Sequence, residues 1–323
     1  MPDLNAVQLP NPTHPLLFQK MDIDATNDLP VLGQASPEGS VHLRYAGNEP
    51  LLAAQIREQL KKGPDSLRLY LGEGLAVRSQ QLALAYEAIE KLRAADIPED
   101  VADSLRKILD SANTDEIVEG NQILGQYAQF MSDLSALMVR INSLIGQNND
   151  GKPVLHTRDM LEAMEDFRKK YAGDAGILKS FTSEADAKAF QEKFRGGTVT
   201  IEQQRVKGKI VYNVRFNTLA AVEPIIHSLC DTKSNADAAI RLIQQGAAIN
   251  DDRVYQLTRA LVTNSAVVQG ISLATSDVQK TFQTDLDLQI NGLSRSIAQF
   301  DNLAKLYSSL ISSLTDTYKS FLG

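Results

Sequence analysis

The 323-residue sequence has no tryptophan, a single cysteine and only 6% aromatic residues. Little aromatic area argues against a thick globular core. The abundance of Ala, Leu, Ile, Gln and Ser fits long helices with narrow apolar seams. The lone Cys230 rules out an internal disulfide and any multi-cysteine zinc site. No run of about 18 apolar residues is present, so no segment reads as a transmembrane helix. Residues 1–20 lack a basic start followed by an apolar stretch, so export by the general secretory route is not expected. Dense basic clusters are missing too. The longest, Arg168-Lys169-Lys170, sits beside Glu165 and Asp166 and reads as a solvated helix face. With a net charge of −7, the surface repels phosphate backbones, which excludes nucleic acid as the expected partner.

What is present is strongly periodic. Residues 1–48 hold Pro2, Pro10, Pro12, Pro15, Pro30 and Pro37 without any period, and read as a disordered arm. Residues 49–112 read as a helical hairpin or three-helix unit. Pro50 opens a first helix, Gly63-Pro64 breaks it, Leu75–Ala95 forms a second, Asp96-Ile97-Pro98 turns, and Glu99–Leu109 forms a third.

Residues 113–146 carry the first long heptad pattern. Ile117, Gly120, Leu124, Tyr127, Met131, Leu134, Met138, Ile141 and Ile145 follow steps of three and four, the spacing of a coiled-coil seam. A second stripe, Ile123, Phe130, Leu137 and Leu144, calls for a second neighbour. Residues 276–323 hold the other heptad helix. Leu286, Leu293, Phe300, Tyr307, Leu314 and Phe321 share one position; Ile290, Ile297, Ala304, Ile311 and Tyr318 share the other. Over 286–321 that helix would be about 50 Å long. Leu288, Leu303, Leu306 and Leu310 widen its apolar face toward a third partner, for which the 49–112 helices are the expected one.

Between the heptads, residues 147–275 read as an inserted α/β module. Helices are expected over His156–Tyr171, Ser183–Phe194, Leu219–Leu229 and Ala236–Gln245. A β-hairpin is expected from TVTIEQQ and KIVYNVRF, joined across Arg205–Gly208. The predicted fold is therefore mainly α: an elongated antiparallel coiled coil with an N-terminal helical hairpin and a small α/β module between its two long helices.

Little in the sequence points to catalysis. His14, His42, His156 and His227 include no i, i+4 pair for a metal. Cys230 lies three residues after His227, a spacing that could bring thiol and imidazole together, but no flanking motif supports a nucleophile. Gly72-x-Gly74 and Gly196-Gly197 lack the Lys and Ser/Thr of a phosphate loop, and the second pair reads as a turn before a strand. Glu162, Glu165 and Asp166 read as partners of Arg168 and Lys169 on a helix surface. The DLDLQ segment at 285–289 lacks the glycine and spacing of a calcium loop. No enzyme, cofactor or metal site is expected.

The heptads hold polar residues of equal interest. Gln299–Leu322 reads QFDNLAKLYSSLISSLTDTYKSFL and resembles the C-terminal helix of the IpaD/SipD/BipD family of type III secretion needle-tip proteins. That helix carries an FDNLxK start, an SSxIS centre and a TDTxKxFL end. Here these are Phe300, Asp301, Asn302, Leu303 and Lys305, then Ser308, Ser309, Ile311 and Ser312, then Thr315, Asp316, Thr317, Lys319, Phe321 and Leu322. A generic coiled coil would share only the apolar positions. EDFRKKY at 165–171 and the double-glycine hairpin GGTVTIEQQ…KIVYNVRFNTL are similar to the family more loosely, as is Ser79–Ala112. One departure lies at 246–275, where the family's tryptophan-containing segment has no counterpart.

The resemblance implies a non-enzymatic protein exported through the type III needle and seated at its tip on the bacterial surface, held in the bacterial cytoplasm before export. It implies as partners the needle subunit, further copies of the same chain (about five at the tip) and a hydrophobic translocator protein. The implied roles are capping the needle, controlling secretion and supporting translocator insertion into host membranes. A bile-salt-like ligand is implied as well. The 49–112 hairpin is expected to shield the coiled coil before assembly, as an internal chaperone, covering both second stripes. The expected contact residues are Asp301, Asn302, Lys305, Ser309, Ser312 and Asp316. The expected seam is Leu124, Tyr127, Met131, Leu134, Met138, Ile141, Leu293, Ile297, Phe300, Tyr307, Ile311 and Leu314. The competing reading is a cytoplasmic helical scaffold or chaperone acting through the same coiled coil.

Overall fold

A computed structural model describes residues 49–94, 98–110, 114–258 and 265–322. The expected N-terminal arm, with His14 and His42, and most of the Asp96-Ile97-Pro98 turn lie outside the described residues. The described chain is mostly helical, with two small antiparallel sheets. Its helices are α1 (Glu49–Lys62), α2 (Pro64–Ala94), α3 (Glu99–Asp110), α4 (Thr114–Ser143), α5 (Thr157–Lys170), α6 (Glu184–Gln191), α7 (Thr218–Leu229), α8 (Lys233–Gln244), α9 (Asp252–Thr258) and α10 (Ser265–Leu322). The chain divides into two compact units. One takes residues up to 61, 65–121 and 291–323; the other takes 62–64 and 122–290.

The first unit is all helical. Gly63, at φ +120°, ends α1 in a backbone conformation that side chains resist, and Pro64 opens α2 with its φ already fixed. The two helices run antiparallel, Tyr70 donating to Gln55 at 3.0 Å and Ser66 to Gln59 at 2.9 Å. Helix α2 begins eleven residues earlier than Leu75, continuing through Gly72 and Gly74. Gly74 is needed small, since a Cβ there would come within 3.0 Å of Arg78 Nη1. Helix α3 folds back along α2, held by the Arg93–Asp103 ion pair and by Tyr86 donating to Asp110 at 2.6 Å. The end of α10 runs parallel to α2 and antiparallel to α1, which it meets through Arg57–Asn291 and Arg295–Glu49.

The second unit is built on α4 from Gln122, on α10 up to Ile290, and on the α/β module. Here α4 and α10 run antiparallel, with Phe130 packed on Phe282 at 5.1 Å between ring centroids. The three-stranded sheet has order β3-β5-β4, from β3 (Ile177–Phe181), β4 (Val199–Val206) and β5 (Lys209–Phe216). The expected hairpin is present in register from Val199↔Phe216 to Val206↔Lys209. Its two-residue turn, Lys207-Gly208, has positive φ at both positions (49° and 81°), which matches the right-handed twist of the strands.

The expected seam residues are buried, apart from Leu314, which is half-buried. Two boundaries move. Helix α4 stops at Ser143, and Ile145 lies in β1 (Ile145–Gln147), paired with β2 (Pro153–Leu155), rather than on the seam. Asn148 accounts for this: its side-chain oxygen accepts from the Asp150 and Lys152 amides at 3.0 and 2.8 Å, and this local turn competes with helix. At the other end, α10 starts at Ser265, ahead of the expected boundary at 276, so it takes in the last stretch assigned to the module.

Candidate functional site on the C-terminal helix

Within the first unit, α10 has two unlike sides. Tyr307 and Ile311 are buried in a cluster with Ala85, Ile89 and Leu92 of α2 and Leu105 and Leu109 of α3, and Leu310 and Leu314 pack at its edge. Each buried side chain of this size contributes about 1.5–3 kcal/mol. The Tyr307 hydroxyl donates to the Ala85 carbonyl at 3.2 Å, so the burial leaves no orphaned donor, and burial pushes the phenol well above its ordinary range.

Seven residues N-terminal to Ala85, on the same face of α2, Arg78 reaches across to α10. Its Nε and Nη2 donate to the two carboxylate oxygens of Asp301, each at 3.0 Å, and Nη1 donates to the Gly74 carbonyl at 3.1 Å. The Arg78 side chain is 9% exposed and that of Asp301 23% exposed. A paired, two-pronged contact of this kind fixes both distance and angle between the helices. Tyr70 lies beside it; burial raises its pKa, Arg78 opposes that shift, and Asp301 adds to it.

The opposite side of α10 holds the other expected contact residues. At 100° per residue, Asn302, Lys305, Ser309, Ser312 and Asp316 fall within about 80° of one another. Lys305, Ser309, Ser312 and Asp316 are exposed, and Asn302 is half-buried. Leu306, 38% exposed, borders this strip. Asp301 stands apart from the other five because its carboxylate is already engaged by Arg78. The position of Arg78 was open to prediction: Leu67, Leu71, Gly74 and Arg78 form one apolar stripe on α2, and a cation on such a stripe requires an anion opposite.

One expectation is corrected. At Phe130, the second stripe of α4 is closed by the inserted module, where the sequence had placed the N-terminal hairpin. Phe130 stacks on Phe216 at 4.2 Å between centroids and meets Phe167 and Tyr171 edge-on at 5.2 and 4.8 Å, all from the α/β module. Three rings, from α5, the residue that caps it and β5, surround Phe130 where the sequence had placed α2 and α3. Of the α10 stripe, Leu310 packs against the hairpin and Leu306 is exposed.

The other candidates find structural roles. Cys230 caps the C-terminus of α7, where its amide donates to His227 O, and burial pushes its thiol up to about 11. His227 faces Glu223 at 3.7 Å. Gly196 and Gly197 both adopt positive φ in the turn before β4. Within the DLDLQ segment, Asp285 is fully buried and accepts from the Arg195 amide at 2.6 Å and from the Thr198 hydroxyl. Burial raises its pKa despite those hydrogen bonds. The buried Tyr127 hydroxyl faces the same carboxylate without a hydrogen bond of normal geometry.

No family model matches the sequence. Among curated proteins the chain is 27% identical over 202 residues to Invasin IpaD of Shigella flexneri. That match covers 62% of this chain and 52% of the relative, so the chain spans about half the length of the curated relative it matches. Among solved structures, BipD of Burkholderia pseudomallei, a component of its type III secretion system, aligns with a TM-score of 0.50 at 16% identity, over 83% of this chain and 93% of that one. A second structure of BipD, an invasion protein associated with that system, gives 0.47 at 15% identity over 85% and 98% of the two chains. The chain is thus similar in sequence to Invasin IpaD and similar in fold to BipD.

Proposed function

We propose that the chain is a needle-tip protein of a type III secretion system, exported through the needle and assembled at its tip with further copies of itself. There it caps the needle, controls secretion and gives a hydrophobic translocator its platform. The observation that carries this reading is the two-sided character of α10. Its apolar side is closed by α2 and α3, while its polar side, which carries the resemblance to the family, is exposed. Asn302, Lys305, Ser309, Ser312 and Asp316 form the strip that meets the needle subunit or a neighbouring copy. Asp301 acts instead on the inside, holding Arg78 and through it the hairpin.

The hairpin is the self-chaperone of this scheme: releasing it uncovers Tyr307, Leu310 and Ile311 for assembly. The test is an NMR titration of the folded chain with its cognate needle subunit. Shifts confined to Asn302–Asp316, lost in Lys305→Glu/Asp316→Lys with the fold intact, are expected. A folded chain that binds no needle subunit at high concentration, and that a type III-competent strain does not export, would leave the cytoplasmic scaffold as the better reading. For the hairpin, a disulfide joining α2 to α10 in a Cys230→Ser background should block tip assembly when oxidised and restore it when reduced. Assembly that is indifferent to the cross-link rules out the self-chaperone step.

A further inference from the structure

The sheet of the second unit has a feature that the needle-tip reading does not use. Pairing between β3 and β5 ends at Phe181↔Tyr212, whereas β4 and β5 continue together to Val206↔Lys209. Past that point the two strands form a bare ribbon, about 10 Å long at 3.3 Å per residue. Every residue from Glu202 to Ile210 is exposed. The stretch Gln203–Val211 contains Arg205, Lys207 and Lys209 and no acidic residue, on a chain whose net charge is −7. Among these cations stand two β-branched apolar side chains in water, Val206 at 42% and Ile210 at 38% exposure.

The register distributes these residues evenly. Residues directly opposite in an antiparallel pair share a face. Arg205↔Ile210 therefore puts a cation and an apolar side chain on one face, and Val206↔Lys209 does the same on the other. Lys207 projects at the turn. Charges on an exposed edge can serve only to prevent strand pairing, but that purpose gives no reason to expose Val206 and Ile210. A protein partner packing on one face would need the apolar groups gathered there. A ribbon alike on both faces suits insertion end-on into a medium that surrounds it. Anionic lipid headgroups supply that: negative charge for the three cations, and an acyl boundary about 5–10 Å deep for the apolar tips.

We propose that the β4–β5 ribbon tip is a docking element for anionic lipid surfaces. The reading stands independently of the needle-tip assignment. Cations near such a surface contribute about fivefold each in partitioning, on the order of a hundredfold for three. The test is flotation of the full chain with phosphatidylcholine vesicles, with and without about one-third phosphatidylserine. The wild-type chain should float with the anionic vesicles only. Arg205→Gln/Lys207→Gln/Lys209→Gln should lose on the order of a hundredfold in partitioning, and about 1 M salt should do the same by shrinking the Debye length to about 3 Å. Val206→Ser/Ile210→Ser, which keeps all three charges, should lose several-fold. Unchanged circular dichroism of both variants shows that the fold is retained. Equal flotation with both vesicle types, or undiminished flotation of the triple variant, overturns the proposal. So does binding of the wild-type chain to soluble polyglutamate without any flotation, which would point to an acidic protein partner instead.

Discussion

Asp301→Ala tests whether one ion pair holds the hairpin on the C-terminal helix. Removing the carboxylate leaves the Arg78 guanidinium, whose side chain is 9% exposed, with the Gly74 carbonyl as the partner remaining from this contact. Breaking a buried pair from one side costs about 3–5 kcal/mol. The 23% exposure of Asp301 admits some water, so the lower end, about 3 kcal/mol, is expected. Arg78→Ala should cost less, about 2 kcal/mol, because water can reach the carboxylate it leaves behind. Arg78→Met/Asp301→Leu fills the same space without charge and should fall within about 1 kcal/mol of wild type. Hydrogen exchange on α2 and α3 reads this locally: a loss of about 3 kcal/mol speeds exchange by about 150-fold. If Asp301→Ala accelerates exchange by less than about fivefold, or if the apolar pair is as damaged as the single variant, the ion pair is not what holds the hairpin.

Phe130→Ala empties a site walled by Phe167, Tyr171, Phe216 and Phe282, and should cost about 3–5 kcal/mol in urea unfolding followed by hydrogen exchange of α5 and β5. Little or no loss would deny that the module closes the second α4 stripe. Gly196→Ala should cost about 2 kcal/mol by the same measurement, since its φ is +67° and a Cβ would lie 2.7 Å from Thr281 Cγ2. Asp285→Asn addresses pH. Burial raises the folded pKa of Asp285, so its favourable contribution is present below its unfolded value of about 4 and is lost as pH rises toward the folded one. Wild type should therefore lose stability relative to Asp285→Asn between pH 4 and neutrality. Asp133 has the opposite sign. Burial alone would raise its pKa, but hydrogen bonds from Lys170, Tyr171 and Gln129 outweigh that and hold it below the usual range. Asp133→Asn should thus remove stability that wild type keeps above about pH 4 and loses in acid. Matched pH profiles of wild type and either variant would refute the corresponding assignment.

The long helices were legible because a seam leaves a period that no local exception hides: Leu124 to Ile141 and Leu293 to Ile311 are buried where the spacing puts them. The β4–β5 hairpin was legible from its alternation and its turn. Strand β3 was not. ILKSF is five residues long and becomes a strand only by pairing with β5, with Ser180 bonded to Asn213 at 2.7 Å. A stripe states that a neighbour exists but not which one, and so Phe130 was assigned to the wrong partner. The polar strip on α10 was visible through its family signature, yet Asp301 looked like its neighbours. Only the fold brings Arg78, 223 residues away, against it. Asp285 was equally opaque, since a buried carboxylate and an exposed one are written alike until Thr198 and the Arg195 amide are placed beside it.

Cys230 makes the molecule its own clock. As the sole thiol, it gives any thiol reagent a single signal. It is half-buried between α7 and α8, and burial, with Asp231 adding to it, pushes its thiol up to about 11. Near neutral pH the thiol is therefore held protonated, and it reacts more slowly than a cysteine in an open chain. Any event that parts the α7–α8 junction is therefore timed by the rate at which one native sulfur becomes reactive.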